Sequence, residues 1–152
     1  MFVEQFLAAV GWSVLSVVVS TSVSIGLMWW LGLSPKDLAH EIEDVQNVAV
    51  GVIFFSISLA TALFIAVYFS SGFTEVQSFA NSALWFTSGL VLGFIFVVIL
   101  LFVAHRLLKP TENETVNRWI RRELVEEQNA ALALFLGGLT ISPFIAVVFQ
   151  II

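Results

Sequence analysis

Two short stretches gather carboxylates and an amide within a few residues: Glu41-Ile-Glu-Asp44-Val-Gln-Asn47-Val-Ala49 and Glu123-Leu-Val-Glu126-Glu-Gln-Asn129-Ala-Ala131. Both read Glu-x-x-(Asp/Glu)-x-Gln-Asn-x-Ala, at an offset of 82 residues (41 to 123, 47 to 129). Glu41, Asp44, Asn47, Glu123, Glu126 and Asn129 offer oxygen donors, the ligand type that suits a hard cation or a polyamine. Each set stands at the mouth of a hydrophobic run, where polar side chains are expensive enough to point first to function. The same residues have a structural use. Acids near a helix start oppose the helix dipole, and Asn is ordinary hydrogen-bonding glue between membrane helices.

Other chemistry finds less support. Di-iron bundles need Glu-x-x-His on two helices, whereas Glu41 to Asp44 and Glu123 to Glu126 end in acids. His40 and His105 fall in separate polar segments and read as interfacial residues rather than metal ligands. No Gly-x-Ser-x-Gly elbow or phosphate loop is present, and the absence of cysteine excludes thiolate metal sites and thiol catalysis. The expectation is a non-enzyme with no catalytic, metal or cofactor site.

These residues must be positioned by hydrophobic helices. Of 152 residues 59% are hydrophobic and only 11% charged, and the mean hydropathy of +1.01 belongs to a membrane protein rather than a soluble domain. A helix needs about 20 apolar residues to span a bilayer, and four such runs occupy roughly 6–33, 47–70, 80–104 and 130–152. The expected fold is all-α, a single membrane domain over 1–152 with four transmembrane helices. The opening Met-Phe-Val-Glu-Gln lacks the basic n-region of a secretory signal, so the first run is kept as a span. A net charge of −5 argues against a nucleic-acid partner.

The six basic residues set the expected orientation. Lys36 lies after the first run, and Arg106, Lys109, Arg118, Arg121 and Arg122 lie between the third and fourth. The positive-inside rule places both of these loops in the cytoplasm and both termini outside it.

In the first run, Ser13, Ser16, Ser20 and Ser24 share one helix face. Each hydroxyl can bond back to a carbonyl one turn earlier and let a neighbouring helix come close, a reading preferred over pore lining. Trp29 and Trp30 suit the headgroup layer. Ser34-Pro35-Lys36-Asp37 predicts an N-cap, a proline at the first helical position and a capping acid, starting an amphipathic helix expected to run on through Asn47. Asp44, Asn47, Gly51, Ser58 and Ala62 then form a small and polar stripe, repeated by Asn129, Ala133, Gly137 and Thr140. Gly89 and Gly93 permit close backbone contact, and Pro143 removes one backbone bond. Pro110 to Glu114 predicts a helix stop and a Thr-x-x-Glu box. After it, Arg118, Trp119, Arg121 and Arg122 are candidates for lipid headgroup or partner contact. The helix-packing candidates are Ser16, Ser20, Ser24, Gly51, Gly89, Gly93 and Gly137.

Span, amphipathic segment, Gln-Asn motif and span occur twice, at about 1–75 and 76–152, which predicts a parallel two-helix repeat. The four spans and two motifs, covering nearly the whole chain, resemble the YjfL-like family of small bacterial inner-membrane proteins, a domain of unknown function. The resemblance implies an internally duplicated inner-membrane protein without established activity, in the context of phage-shock-type envelope stress proteins and of ATP-grasp enzymes similar to glutathionylspermidine synthases. The function expected is a membrane interaction or scaffold subunit, homo-oligomeric, with a cytoplasmic protein partner at residues 105–127. The alternative is a channel or transporter for a small cation or polyamine with the six polar residues at its inner mouth.

Overall fold

A computed structural model describes residues 2–70, 79–108 and 114–151, and every regular element among them is helical. In chain order these are α1 (Phe2–Trp30), α2 (Pro35–Glu43), α3 (Val48–Ser70), α4 (Phe79–Leu107), α5 (Val116–Arg121) and α6 (Ala130–Ile151), with α5 running on as a π-helical turn over Arg122–Glu126. Four stretches are long and apolar enough to cross a membrane: Ser13–Trp30, Val48–Tyr68, Leu84–Leu107 and Ala130–Gln150. The chain is all-helical with four candidate spans, as its hydrophobic runs require.

The turn after α1 follows from one glycine. Gly32 takes φ +93°, a left-handed geometry that a residue with a Cβ resists. Its N–H donates to the Trp29 carbonyl and that of Leu33 to the Met28 carbonyl, both at 2.9 Å, which is a Schellman closure with the accompanying apolar contact of buried Met28 and Leu33. Ser34 then caps α2 with Pro35 at the first helical position, and Asp37 completes a reciprocal capping box. The expected capping box at Thr111 falls on residues outside those described. Thr115 is the cap of α5, accepting from the Arg118 N–H.

α3 and α6 share the largest interface, α1 lies against α3 and α4 against α6. Half of the α3 span and 44% of the α6 span are buried, against 17% of α1 and 22% of α4, so the two motif-led helices are the centre and α1 and α4 the flanks. In lipid the hydrophobic effect does not drive helices together, so close van der Waals fit must do so. Gly137 supplies it: a methyl group there would stand 2.9 Å from the Ser56 Cβ. Gly93 is likewise filled by the Phe144 ring, 2.9 Å from where a Cβ would be, and Gly89 is buried. On the α1 side, Ser24 is fully buried. It donates to the Ser20 carbonyl at 2.7 Å and accepts from the Ser58 hydroxyl at 2.8 Å, while Ser20 bonds back to Val17 and Ser16 is half-buried. Gly51, by contrast, has nothing within 4 Å of its Cβ position.

Far along the spans from the Gln-Asn motifs, Phe64, Phe86, Phe94 and Phe144 close the bundle. Phe144 meets Phe94 and Phe64 edge-on at 5.1 and 6.0 Å, and Phe86 lies 5.7 Å from Phe64, so one aromatic cluster ties α3, α4 and α6 together. Pro143 lies inside α6, which remains helical to Ile151.

Candidate functional site: the two Gln-Asn elbows

The amphipathic helix does not continue into the second span. It ends at Glu43, and Gln46 turns left-handed at φ 57° before α3 begins at Val48. Gln128 does the same at φ 48° before α6. Each motif is therefore an elbow, a helix end joined to a helix start through one left-handed glutamine. Asn47 and Asn129 send their backbone N–H six residues back to the carbonyls of Glu41 and Glu123, both at 2.8 Å, closing the incoming helix one residue wider than a Schellman turn.

The asparagine side chains then start the outgoing helix. Asn47 Oδ1 accepts from the N–H groups of Ala49 and Val50 at 3.0 and 3.2 Å, and Asn129 Oδ1 accepts from Leu132 at 3.0 Å, satisfying donors that a helix start leaves free. Their Nδ2 groups donate to the Glu41 and Glu123 carboxylates at 2.8 and 3.0 Å. The glutamate of each motif thus holds the asparagine that follows it by six.

One bond joins the two elbows. Asn47 Nδ2 also donates to the Leu124 carbonyl at 2.8 Å, across 77 residues of chain, filling one of the carbonyls that the end of the π turn leaves without a helical partner. Asn47 is 2% exposed, whereas Asn129 is only half-buried.

The remaining acids diverge. Asp44 faces outward to His40, 2.7 Å from its Nδ1, and Glu126 is exposed. Among the described residues, no three His, Asp or Glu side chains are grouped as metal ligands. Glu41, Asn47, Glu123 and Asn129 come together as two hydrogen-bonded clamps, with Asp44 and Glu126 on their outer sides.

The basic residues sort themselves by partner. Arg122 grips Glu114 through Nε and Nη2 at 3.1 and 3.2 Å, Glu123 through Nη2 at 3.1 Å, and Glu127 through Nη1. The π turn explains the reach: its i to i+5 spacing sets Arg122 and Glu127 on one face. Since Glu123 also holds Asn129, Arg122 locks the second elbow, and the Glu114 hydrogen bonds push its pKa still further above the ordinary guanidinium value. Trp119 is 2% exposed and packs edge-on against His105 at 5.4 Å, so its indole belongs to the core and not to the headgroup layer. Arg118 and Arg121 are exposed and make no ion pair among the described residues.

Sequence reasoning missed the locking role of Arg122 and the aromatic cluster. A signal existed for the first: His40 occupies the position 82 residues before Arg122, each motif thus carrying a cation one residue ahead of its first glutamate. No protein-family model, curated protein or solved structure matches this chain.

Proposed function

We propose that the chain is a non-enzymatic interaction subunit of the bacterial inner membrane, built as two parallel two-helix repeats of the YjfL-like kind. In this reading it self-associates within the bilayer, and its basic end faces the cytoplasm. The carrying observation is the contrast between inward and outward small residues. Inside the bundle Gly93, Gly137 and Ser24 each meet a close partner. On the outside, Ser22 and Gly26 of α1 and Gly138 and Ser142 of α6 are exposed at i, i+4 spacing, and neither glycine has an atom within 4 Å of its Cβ position. Such notches let a further helix approach closely in lipid, where small residues mark helix contacts.

The elbows support the same reading, because Glu41, Asn47, Glu123 and Asn129 are engaged in holding helix ends. Gly26→Leu combined with Gly138→Leu should reduce oligomer mass in lipid nanodiscs while leaving the helical spectrum unchanged. An unaltered mass would overturn self-association through these faces. Liposomes carrying the purified protein should pass no Na⁺, K⁺, Mg²⁺ or spermidine above background; a flux would favour the channel alternative.

A further inference from the structure

The flanking helices α1 and α4 scarcely touch, and between them a narrow apolar cleft opens over the α3–α6 pair. Its walls are Trp30 of α1, Leu31 just after it, and Val98 and Leu101 of α4, with Leu136 in its floor and Ile120 of α5 closing one end. Along α4 it extends from Leu101 to Phe94, about 10 Å at 1.5 Å per residue. Its lining carries almost no polar group, and the Thr140 hydroxyl within it is already bonded to the Leu136 carbonyl at 2.9 Å.

The closed end carries a charge. Arg121 follows Ile120 and lies over the turn after α1, with Nη1 at 3.4 Å and Cδ at 3.6 Å from the Cβ position of Gly32, the residue after Leu31. Its guanidinium is exposed and makes no ion pair among the described residues, whereas neighbouring Arg122 binds three carboxylates. Asp37 is the acid whose field it shares, and that carboxylate accepts from the N–H and hydroxyl of Ser34. Arg118, also exposed, lies three residues earlier on α5 and so on the same side.

We propose that this cleft holds one acyl chain of an anionic phospholipid whose headgroup is bound by Arg121, with Arg118 beside it. A dry groove open to lipid gains dispersion contacts when a hydrocarbon chain fills it, and a planar guanidinium beside its closed end matches phosphate geometry. The cleft lining shares no residue with the outward notches of α1 and α6, so either proposal can fail without the other.

The test is native mass spectrometry of the full chain extracted from liposomes of mixed phosphatidylglycerol and phosphatidylcholine. The wild type should retain one phospholipid with about a five-fold preference for phosphatidylglycerol, the ratio that about 1 kcal/mol from the Arg121 charge implies. Arg121→Gln should lose that preference and keep the adduct. Val98→Trp, placed where the native side chain is 37% exposed and folding tolerates bulk, should lose the adduct with either headgroup. Equal retention of both lipids by the wild type, an unchanged preference in Arg121→Gln, or an intact adduct in Val98→Trp would each overturn the assignment. If Val98→Trp instead splits an oligomer while lipid stays bound, a second copy covers the cleft and the lipid site is wrong.

Discussion

Asn47 and Asn129 are the same residue in the same motif, yet their surroundings make them unequal. Both cap an outgoing helix and both hold a glutamate, but only Asn47 reaches the other elbow, at the Leu124 carbonyl. Asn47→Ala should therefore lower unfolding stability in detergent by about 2–4 kcal/mol, combining a lost cap of about 1 kcal/mol with a buried carbonyl left unbonded. Asn129→Ala should lose about 1–2 kcal/mol, since it removes a cap and one partly exposed bond. Equal losses measured by denaturant titration would contradict the role given to the cross-elbow bond. The left-handed Gln46 and Gln128 belong with them: the turn needs φ near +50° at that position, and glutamine is accepted there because its Cβ is unbranched.

At the scale of the element, α2 and α6 make separate predictions. α2 is held at its start by the Ser34–Asp37 box and near its end by His40 and Asp44. Hydrogen bonding to Asp44 raises the His40 pKa above its ordinary 6.5, so the charged imidazole is favoured in the folded helix. The stability this confers is fully present below pH 6.5 and fades as pH rises through the raised value. Asp37 has the opposite sign: bonds from Ser34 hold its pKa below 3.8, so its contribution is present above that pH and lost as pH falls through the lowered value. Amide exchange in α2, corrected for intrinsic rates, should thus be slowest between the two limits, and Asp44→Asn should remove the alkaline change while sparing the acid one. In α6, Gly137→Ala would force its methyl against Ser56 Cβ on α3. It should destabilise the bundle by about 1–3 kcal/mol, the usual range for overpacking. Gly138→Ala, which meets open space, should not lower the stability of the single chain in detergent and should raise it by up to about 1 kcal/mol, alanine being the better helix former.

For the whole molecule, the decisive geometry is that the two elbows touch. The Asn47 bond to Leu124 sets the start of α3 beside the segment that leads into α6, and Lys36, Arg118 and Arg121 are carried on the helices that lead into those elbows. Because the chain has no cysteine, single cysteines can map its sides without a background. In right-side-out bacterial vesicles, Lys36→Cys and Arg118→Cys should both resist a membrane-impermeant maleimide, and Asn81→Cys, near the opposite end of α4, should react. Labelling of Lys36→Cys from outside would reverse the proposed orientation.

How much of this was legible in the residues differs by feature. Four long apolar runs dictate four helices because nothing else satisfies the backbone in lipid. Ser34-Pro35-Lys36-Asp37 dictates a helix start because its cap is built from neighbours in sequence. The break at Gln46 was not legible, since glutamine is an ordinary helix former and its left-handed turn is held by bonds converging on Asn47. Arg118, Trp119, Arg121 and Arg122 read alike as headgroup contacts, and only the fold separated them, burying Trp119 and turning Arg122 inward to Glu114 and Glu123. Composition and local capping were thus fixed by the chain alone. Which small residue meets a partner, which cation stays free, and where an open cleft remains were decided by tertiary structure, because each depends on groups brought together from distant points in the sequence.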